Sequence, residues 1–387
     1  MLVSRGMLGV GLFVVALVVA VAGPTGPTPA WCGCPKVSGR HSADFAARGP
    51  HAVGNQTLFI VDETRPTPPN GSFGGAASRA LDTEVWYPAA APPTTGVIRN
   101  AAVDTVGAPY PVILYGHALQ DNRRGEAYLA EHLASRGYIV AAVDFPLGKL
   151  NAPGGATPDD LASQPGDLSA VLDHLLAGDG GLAAAIDAGR IGASGLSLGG
   201  GTVLLLTYHR DLLDPRIRAV LPIAPAFSCA FTRAFYRHVR VPVLVLQGDA
   251  DGLAPLAENG RRVVRRARGP RTLVALHGGS HLGFTAFASV LGTPAEADQF
   301  GCDAIGSAPA FPTLPGGRDA GVVSDACSLP CTPPLPTPTL DFERQHDLTR
   351  TVAAAFFDAY LLGDQSAGCW ITRELAAENP DVTTRRR

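Results

Sequence analysis

Residues 190–209 read RIGASGLSLGGGTVLLLTYH, and this stretch decides the fold. It opens with a short run, residues 190–194, that is typical of a buried strand, and it ends with an apolar run of helical length, residues 200–209. Between the two stands a G-x-S-x-G motif with Ser197 at its centre. A strand, a tight turn and a helix in this order hold a serine hydroxyl above the edge of a sheet, and the flanking glycines relieve crowding. The stretch therefore predicts Ser197 as a nucleophile and the backbone N–H of Leu198 as a donor to a developing oxyanion.

Strand and helix patterns alternate on both sides of this motif. Residues 111–115 form a continuous apolar run, residues 124–136 carry apolar side chains at helical spacing, and residues 138–143 are again apolar, which indicates a βαβ unit. Two earlier strands are predicted at 57–61 and 83–86. Downstream, the alternation predicts helix 167–176, strand 190–194, helix 200–209, strands 219–223 and 242–246, helix 256–267 and strand 272–276. We expect an α/β fold with a mostly parallel central sheet and helices on both faces.

Two aspartates and two histidines follow the last predicted strands. A serine hydroxyl needs a histidine to take its proton and a carboxylate to orient that histidine. GDADG follows one strand and places Asp249 and Asp251 at the C-terminal edge of the sheet, where ligands bind in open α/β folds. HGGSH follows the next strand and brings His277 and His281 to the same edge. One aspartate and one histidine are expected to join Ser197, and their positions after the strands leave both choices open.

The chain is predicted to have five segments. Residues 1–22 carry a basic residue, an apolar run and a small-x-small ending, which is typical of a signal peptide; a retained anchor is the alternative. A Pro/Gly-rich lead-in follows at 23–56, and the α/β core is expected over 57–300. Residues 301–340 are rich in Pro, Gly and Ser and predict an excursion stapled by disulfides. Residues 341–387 are expected to form a helix at 342–362 and a tail that frays after residue 369.

Seven cysteines remain after the predicted cleavage: Cys32, Cys34, Cys229, Cys302, Cys327, Cys331 and Cys369. In an oxidising compartment some should pair, and the odd number leaves at least one free or paired between chains. Their connectivity cannot be read from the sequence. No histidines stand near the closely spaced cysteines to complete a zinc quartet, so no metal is expected. We expect a secreted or periplasmic protein with no stable membrane anchor after cleavage.

The composition is that of a folded, loop-rich globular protein, with 46% hydrophobic and 17% charged residues, 45 glycines and 33 prolines. The formal net charge of -3 is close to balance, and no basic stripe precedes the arginines at the C-terminus. The charge pattern therefore excludes nucleic acid as an expected partner. No organic cofactor is implied.

Over residues 58–283 the chain resembles the platelet-activating-factor acetylhydrolase-like and dienelactone-hydrolase-like α/β-hydrolases and, more distantly, the cutinase-type polyester hydrolases. The resemblance is carried by TEVWYP at 83–88, PVILY at 111–115, QPGD at 164–167 and RIG at 190–192. It implies the α/β-hydrolase fold. It also implies Asp251 as the acid, three residues after a strand-ending glycine, and His281 as the base, in a GGSH word shared with cutinase-type enzymes. The family's H-G-x-G loop corresponds to residues 117–120, which implies Leu119 N–H as the second oxyanion donor although both glycines are replaced.

This resemblance implies hydrolysis of carboxylic esters through an acyl-enzyme by Ser197, Asp251 and His281. We expect Phe227, Leu253 and Leu282 to form a small apolar wall for the acyl group. No amphipathic insertion separates the serine motif from the acid, and the excursion after residue 300 looks too cross-linked to act as a lid. Short-acyl esters are therefore the expected substrates, since longer chains would find no tunnel to bury them.

Three other functions stay open at this point. A polyester hydrolase is compatible with the cutinase-type resemblance, but Ala226 stands where those enzymes carry a tryptophan. A serine peptidase or acyltransferase would use the same scaffold. A catalytically inactive hydrolase used for binding is favoured only by the altered loop at 117–120. True dienelactone hydrolases use a cysteine nucleophile, so Ser197 argues against that activity.

Overall fold

The strands of the computed structural model form one sheet. The structure describes residues 33–35, 37–305, 311–324, 327 and 330–386. Within these ranges the strands are β1 Ala52–Asp62, β2 Arg79–Ala89, β3 Val97–Arg99, β4 Tyr110–Gly116, β5 Ile139–Val143, β6 Ile186–Leu196, β7 Ile217–Ile223, β8 Val243–Gly248, β9 Arg271–Leu276 and β10 Val382–Arg386. Their order across the sheet is β10-β9-β8-β7-β6-β4-β5-β2-β1-β3.

The central part of this sheet is parallel. Strands β5, β4, β6, β7, β8 and β9 pair in parallel, one beside the next. Antiparallel pairs occur toward the edges, where β2 lies beside β5, β1 beside β2, and β10 beside β9. The order and directions confirm the predicted α/β-hydrolase fold with a mostly parallel sheet.

Helices cover both faces of the sheet. They are α1 Ser42–Ala46, α2 Ala127–Ser135, α3 Gln164–Ala177, α4 Leu198–Tyr208, α5 Gly260–Arg266, α6 Pro294–Ile305, α7 Phe342–Leu361, α8 Gln365–Arg373 and α9 Leu375–Glu378. Alternate residues of β4 separate the two layers, because successive strand side chains point to opposite faces. Val112 and Leu114 belong to a core cluster with residues of α3 and α4, whereas Ile113 and Tyr115 belong to a second cluster with residues of α2 and α7.

Order extends further at both ends of the described chain than the sequence indicated. The lead-in expected over 23–56 contains α1 and the first half of β1, and Phe45 of α1 is fully buried with its ring 4.7 Å from that of Trp370. The tail expected to fray after residue 369 instead forms α9 and β10, and β10 pairs with β9 at the edge of the sheet. A buried Val382 and the backbone ladder of an edge strand explain this order, and such pairing leaves no local signal in the sequence.

The predicted signal peptide and Cys32 lie outside the described residues. None of the described helices combines the length and apolar character needed to cross a bilayer.

Three disulfides connect segments that are distant along the chain. Cys34 is bonded to Cys369, Cys229 to Cys327, and Cys302 to Cys331. The first connects the segment before α1 to α8 across 335 residues, and the second fixes the excursion predicted at 301–340 to the loop after β7. The third joins Cys331 to the end of α6 within that excursion. The excursion is therefore cross-linked, as expected from its cysteines.

A buried ion-pair network connects the antiparallel edge to the helix layer. Arg79, at the start of β2, is fully buried and donates to both oxygens of Asp167 at 2.7 and 2.6 Å and to Asp160 at 2.9 Å. Arg65 adds a 2.8 Å hydrogen bond to Asp167. Burial raises the pKa of Asp167 to about 6 despite these partners. Removing Arg79 would therefore leave two buried carboxylates without their main counter-charge.

We predict that Arg79→Met lowers the free energy of unfolding by about 3–5 kcal/mol, because breaking a buried ion pair from one side leaves uncompensated charge. The matched control is Arg190→Gln, which breaks a partly exposed pair with Asp187 and should cost less than about 1 kcal/mol. Urea denaturation followed by circular dichroism measures both. Equal losses in the two variants would contradict the role assigned to Arg79.

Candidate active site

Ser197 stands at the turn between β6 and α4, where the backbone is strained. Its φ of 54° and ψ of -112° lie in a region that side chains rarely adopt, which is the conformation of a nucleophile elbow. The turn fits only because its neighbours are glycines. A Cβ added to Gly195 would lie 2.5 Å from the carbonyl oxygen of Gly199, and one added to Gly199 would lie 2.0 Å from that of Gly116. The predicted reason for the motif, relief of crowding, therefore holds at both positions.

Asp251 lies in the loop after β8 and is almost fully buried. Its Oδ1 accepts hydrogen bonds from the backbone N–H groups of Leu253 at 3.0 Å and Ala254 at 2.7 Å. Its Oδ2 is 2.8 Å from Nδ1 of His281. The carboxylate is thus fixed on one side by its own loop and presented on the other to the histidine.

His281 lies in the loop after β9 and is 2% exposed. Because Nδ1 donates to Asp251, Nε2 is left as the basic nitrogen of the ring. Burial alone would lower the pKa of His281, but the charge and hydrogen bond of Asp251, together with the charge of Asp298, raise it above the ordinary value of 6.5. The histidine is therefore set up to accept a proton and to be stabilised once it has done so.

The alternative residues, Asp249 and His277, pair with each other away from this site. Nδ1 of His277 is 2.9 Å from Oδ2 of Asp249, and its Nε2 is 2.7 Å from Oγ1 of Thr383 in β10. Both side chains are well exposed and line a small surface cavity that does not include Ser197. This arrangement favours the choice of Asp251 and His281 that the resemblance implies.

The loop after β4 is held in place by His117. Nε2 of the buried ring accepts the N–H of Phe145 at 3.0 Å, so the proton is on Nδ1, which donates to the carbonyl oxygen of Ala118 at 2.7 Å. Gln120 takes a φ of 61° and donates its N–H to the carbonyl oxygen of Gly148 at 2.9 Å. Glutamine at this position pays the conformational penalty that glycine avoids. The loop is therefore ordered although both family glycines are replaced, and its Leu119 lines the same cavity as Ser197.

One apolar cavity of about 240 Å³ brings the predicted residues together. Ser197 and His281 line it, as do all the residues expected to surround them: Leu119, Leu198, Phe227, Leu253 and Leu282. Gln120, Ser197 and Phe227, three non-glycine residues with positive φ, line this same cavity. Backbone strain is concentrated at functional sites, where surrounding structure holds it in place.

The excursion also lines this cavity, which the sequence did not indicate. Phe311, Ser324, Cys327 and Pro330 contribute to its wall, and α6 adds Phe300, Gly301, Ala304 and Ile305. The ring of Phe311 stands edge-on to that of Phe227 with centroids 5.2 Å apart. We call α6 together with the described residues of 311–340 the cap. The available signal was Cys229, which follows β7 and could have been paired with a cysteine of the excursion.

Known proteins with similar sequences and structures are esterases and lipases. Lipase 1 of Moraxella sp. (strain TA144) is 31% identical over 149 residues, which is 38% of this chain and 41% of the lipase. Cutinase est1 of Thermobifida alba is 31% identical over 34% of this chain and 40% of its own length. A bis(hydroxyethyl) terephthalate hydrolase of Streptomyces coelicolor is 26% identical over 55% of this chain and 54% of its own length. The chain therefore spans about two-fifths to one half of these relatives.

Among solved structures, a ferulic acid esterase from Streptomyces cinnamoneus superimposes with a TM-score of 0.62. It is 25% identical, and the match covers 88% of this chain and 98% of that one. A family model described as PET hydrolase-like matches residues 45–294, from α1 to the first residue of α6. This match covers more than half of the chain, so the chain belongs to the PET hydrolase-like family of α/β-hydrolases.

Proposed function

We propose that this chain is an exported carboxylic-ester hydrolase that acts through an acyl-enzyme on Ser197. The observation that carries the proposal is the meeting of a strained serine turn and a buried His281–Asp251 pair at one apolar cavity. The names of the relatives support the same chemistry, since they include lipases, cutinases and a ferulic acid esterase. Three disulfides support export, because disulfides persist in oxidising compartments.

In the proposed reaction, Oγ of Ser197 attacks the carbonyl carbon of the ester while Nε2 of His281 takes the hydroxyl proton. The proton then passes to the oxygen of the leaving alcohol, and the acyl group stays on Ser197. A water molecule repeats the sequence in the second half and releases the acid. Asp251 holds the Nδ1–H tautomer and stabilises the imidazolium that forms in both halves.

The backbone N–H groups of Leu119 and Leu198 are the proposed oxyanion donors. Leu198 is the first residue of α4, where N–H groups lack partners inside the helix. The helix also carries partial positive charge at this end. Leu119 lies on the loop ordered by His117 and lines the same cavity. Two such donors stabilise the negative oxygen of a tetrahedral intermediate.

The proposed substrates are esters with a compact acyl group. The cap closes one side of the cavity, and its disulfides to Cys229 and within the excursion hold that wall in place. A closed wall limits how far an acyl chain can extend and leaves less room for a polymer to pass across the site. This supports short-acyl esters over polyesters.

Aromatic acyl groups are a second candidate. Four phenylalanines, at positions 227, 287, 300 and 311, line the cavity. Aromatic rings contact such walls favourably in edge-to-face or offset arrangements. The names of two similar proteins, a bis(hydroxyethyl) terephthalate hydrolase and a ferulic acid esterase, both refer to aromatic acids.

The first test of the function removes the proposed acid and its neighbour separately. Asp251→Asn should lower kcat by about three to four orders of magnitude, because His281 would lose its tautomer and its counter-charge. Asp249→Asn is the matched control and should cost less than tenfold, since its partner is the exposed His277. Steady-state assays with p-nitrophenyl acetate measure both, and a fluorophosphonate probe should label the parent protein but not Ser197→Ala. The reverse ranking, or labelling that survives Ser197→Ala, would overturn the assignment.

The pH dependence tests the role of His281. As the pH falls through the raised pKa of His281, the ring becomes protonated and can no longer accept the serine proton. We therefore expect kcat/KM to fall on the acid side with a midpoint above 6.5, the ordinary value for histidine. Circular dichroism at each pH separates this effect from unfolding. A midpoint below 6.5 in folded protein would contradict the environment described for His281.

A substrate series tests the size of the acyl pocket. A p-nitrophenyl series from two to sixteen carbons should show kcat/KM levelling or falling beyond about six carbons, whereas a long tunnel would add about 0.8 kcal/mol of binding per methylene. Ethyl ferulate and bis(hydroxyethyl) terephthalate test whether aromatic acyl groups are accepted. A polyester film, assayed in parallel, tests the polyester alternative. A steady rise to sixteen carbons would refute the compact pocket, and turnover of an anilide as fast as its ester would indicate a peptidase.

A further inference from the structure

A second carboxylate lies buried beside the proposed acid and base. Asp298 is in the second turn of α6 and is 3% exposed, although neither the serine motif nor the resemblance drew attention to it. A carboxylate in this position loses its hydration, and proteins accept that cost only where hydrogen bonds or charges compensate it. Its contacts therefore indicate what it does.

Asp298 accepts hydrogen bonds from the backbones of both neighbouring loops. Its Oδ2 is 2.9 Å from the N of His281 and its Oδ1 is 2.8 Å from the N of Leu282. A longer contact of 3.5 Å joins Oδ2 to the N of Gly252, the residue after the proposed acid. One side chain thus spans the loop that carries the base and the loop that carries the acid.

The charge of Asp298 also acts on the ring of His281. Burial raises the pKa of Asp298 to about 6, with a further contribution from the charge of Asp251, against the opposing effects of His281 and of the two backbone N–H groups. The charges that raise the pKa of His281 are those of Asp251, from the loop after β8, and of Asp298, from α6. The serine turn presents the neutral Ser197 to the same cavity, and Gln345 of α7 accepts the backbone N–H of Ser280, the residue before His281. Two carboxylates near one histidine favour its protonated form, and this is the form that develops in the transition state of the proposed reaction.

Helix α6 connects this carboxylate to the wall of the substrate cavity. Phe300 and Gly301, two and three residues after Asp298, line the cavity, and Cys302 is bonded to Cys331. The N–H of Cys331 in turn donates to the carbonyl oxygen of Gly252 at 2.9 Å. The cap and the two loops therefore share one rigid connection, with Asp298 at its centre.

We propose that Asp298 is a positioning residue that holds the backbones of His281 and Gly252 in register, so that His281 faces Asp251 and Ser197 together. Its negative charge adds to the stabilisation of protonated His281. This inference rests on the proposed ester hydrolysis. Asp298 does not line the cavity, so its effect is expected on the chemical step and not on substrate binding.

The test compares Asp298→Asn with Asp303→Asn in the full mature chain. Asp303 lies on the same helix, is exposed and bonds only Gln299 among the described residues, so its variant is the matched control. For Asp298→Asn we expect kcat for p-nitrophenyl acetate to fall about 10- to 100-fold, since small misplacements of a catalytic group have effects of this size. KM should change less than twofold. The control should match the parent in both constants.

The pH profile separates positioning from a merely structural role. Loss of the charge should lower the pKa of His281 and move the acid limb of kcat/KM to lower pH by roughly 0.5 to 1 unit. A residue needed only for folding would reduce the active fraction, counted by fluorophosphonate titration, and leave the pH profile of the remaining enzyme unchanged. That result, or an unchanged kcat, would overturn the proposal.

A second variant, Asp298→Ser, and the parent enzyme distinguish failure of this proposal from failure of the proposed function. Asp298→Ser removes the charge without placing an amide donor against a backbone N–H, and it should show the same shift of the acid limb. If neither variant folds, Asp298 is a folding residue and the proposal is refuted. An inactive parent that also fails to react with the probe would refute the proposed function itself, which distinguishes the two failures.

Discussion

Helix α4 begins in backbone contact with the end of β4, and the site depends on that contact. The carbonyl oxygen of Gly116 leaves no room for a side chain at Gly199, and Gly199 in turn leaves none at Gly195. Two bare backbones can therefore cross where side chains would force them apart. The crossing strains Ser197 into its positive φ and places it beside the loop that starts at Gly116. Ser197, the N-terminus of α4 and the loop after β4 therefore lie close together because of a steric constraint and not because of attraction between them.

The two other proposed catalytic groups are placed by the order of the sheet. β8 lies parallel to β7 and β9 lies parallel to β8, so the loops after them open at the same edge as the serine turn. Position along an edge is not yet orientation. Orientation comes from hydrogen bonds within the loops: Asp251 is fixed by N–H groups two and three residues on, and His281 by Asp251 and Asp298. The sheet therefore sets where Asp251 and His281 lie, and hydrogen bonds to buried carboxylates set how the ring of His281 is oriented.

The features predictable from the sequence are those with a local pattern. Ser197 and its strand-turn-helix setting follow from spacing, and α7, expected at 342–362, is found at Phe342–Leu361 because its apolar residues recur at helical period. Between Asp249 and Asp251 the spacing could not choose, because both follow the same strand. Their different environments, one exposed and paired to His277 and one buried against His281, exist only after folding.

Contacts between distant residues were beyond the reach of such patterns. Cys34 and Cys369 are separated by 335 residues, and nothing near either one specifies its partner. Asp298 looks like any helical aspartate until the loop after β9 folds against it. The edge strand β10 was missed for the same reason, since its Thr and Arg residues are polar and its order depends on pairing with β9. Asp167 belongs to the QPGD motif that carried the resemblance, but its buried partner Arg79 lies 88 residues away and could not be predicted.

The attachment of the cap favours a fixed pocket over a mobile lid. Besides its disulfides, the cap is joined to the segment after β7 by backbone hydrogen bonds from Thr232 to Gly321 and from Val323 to Ala230, each 2.9 Å long. A lid that swings open must break such contacts at each turnover, and the Cys229–Cys327 disulfide, which joins the cap to the segment after β7, cannot be broken in that way. The shape of the proposed acyl pocket would then be set when the protein folds, and substrates would be selected by whether they fit it. Because α6 carries both the wall of that pocket and Asp298, a substrate too large for the wall would press on the same helix that holds His281. Under the proposed function, selection by size and alignment of His281 are therefore not independent, and we expect poor fit to appear in kcat as well as in KM.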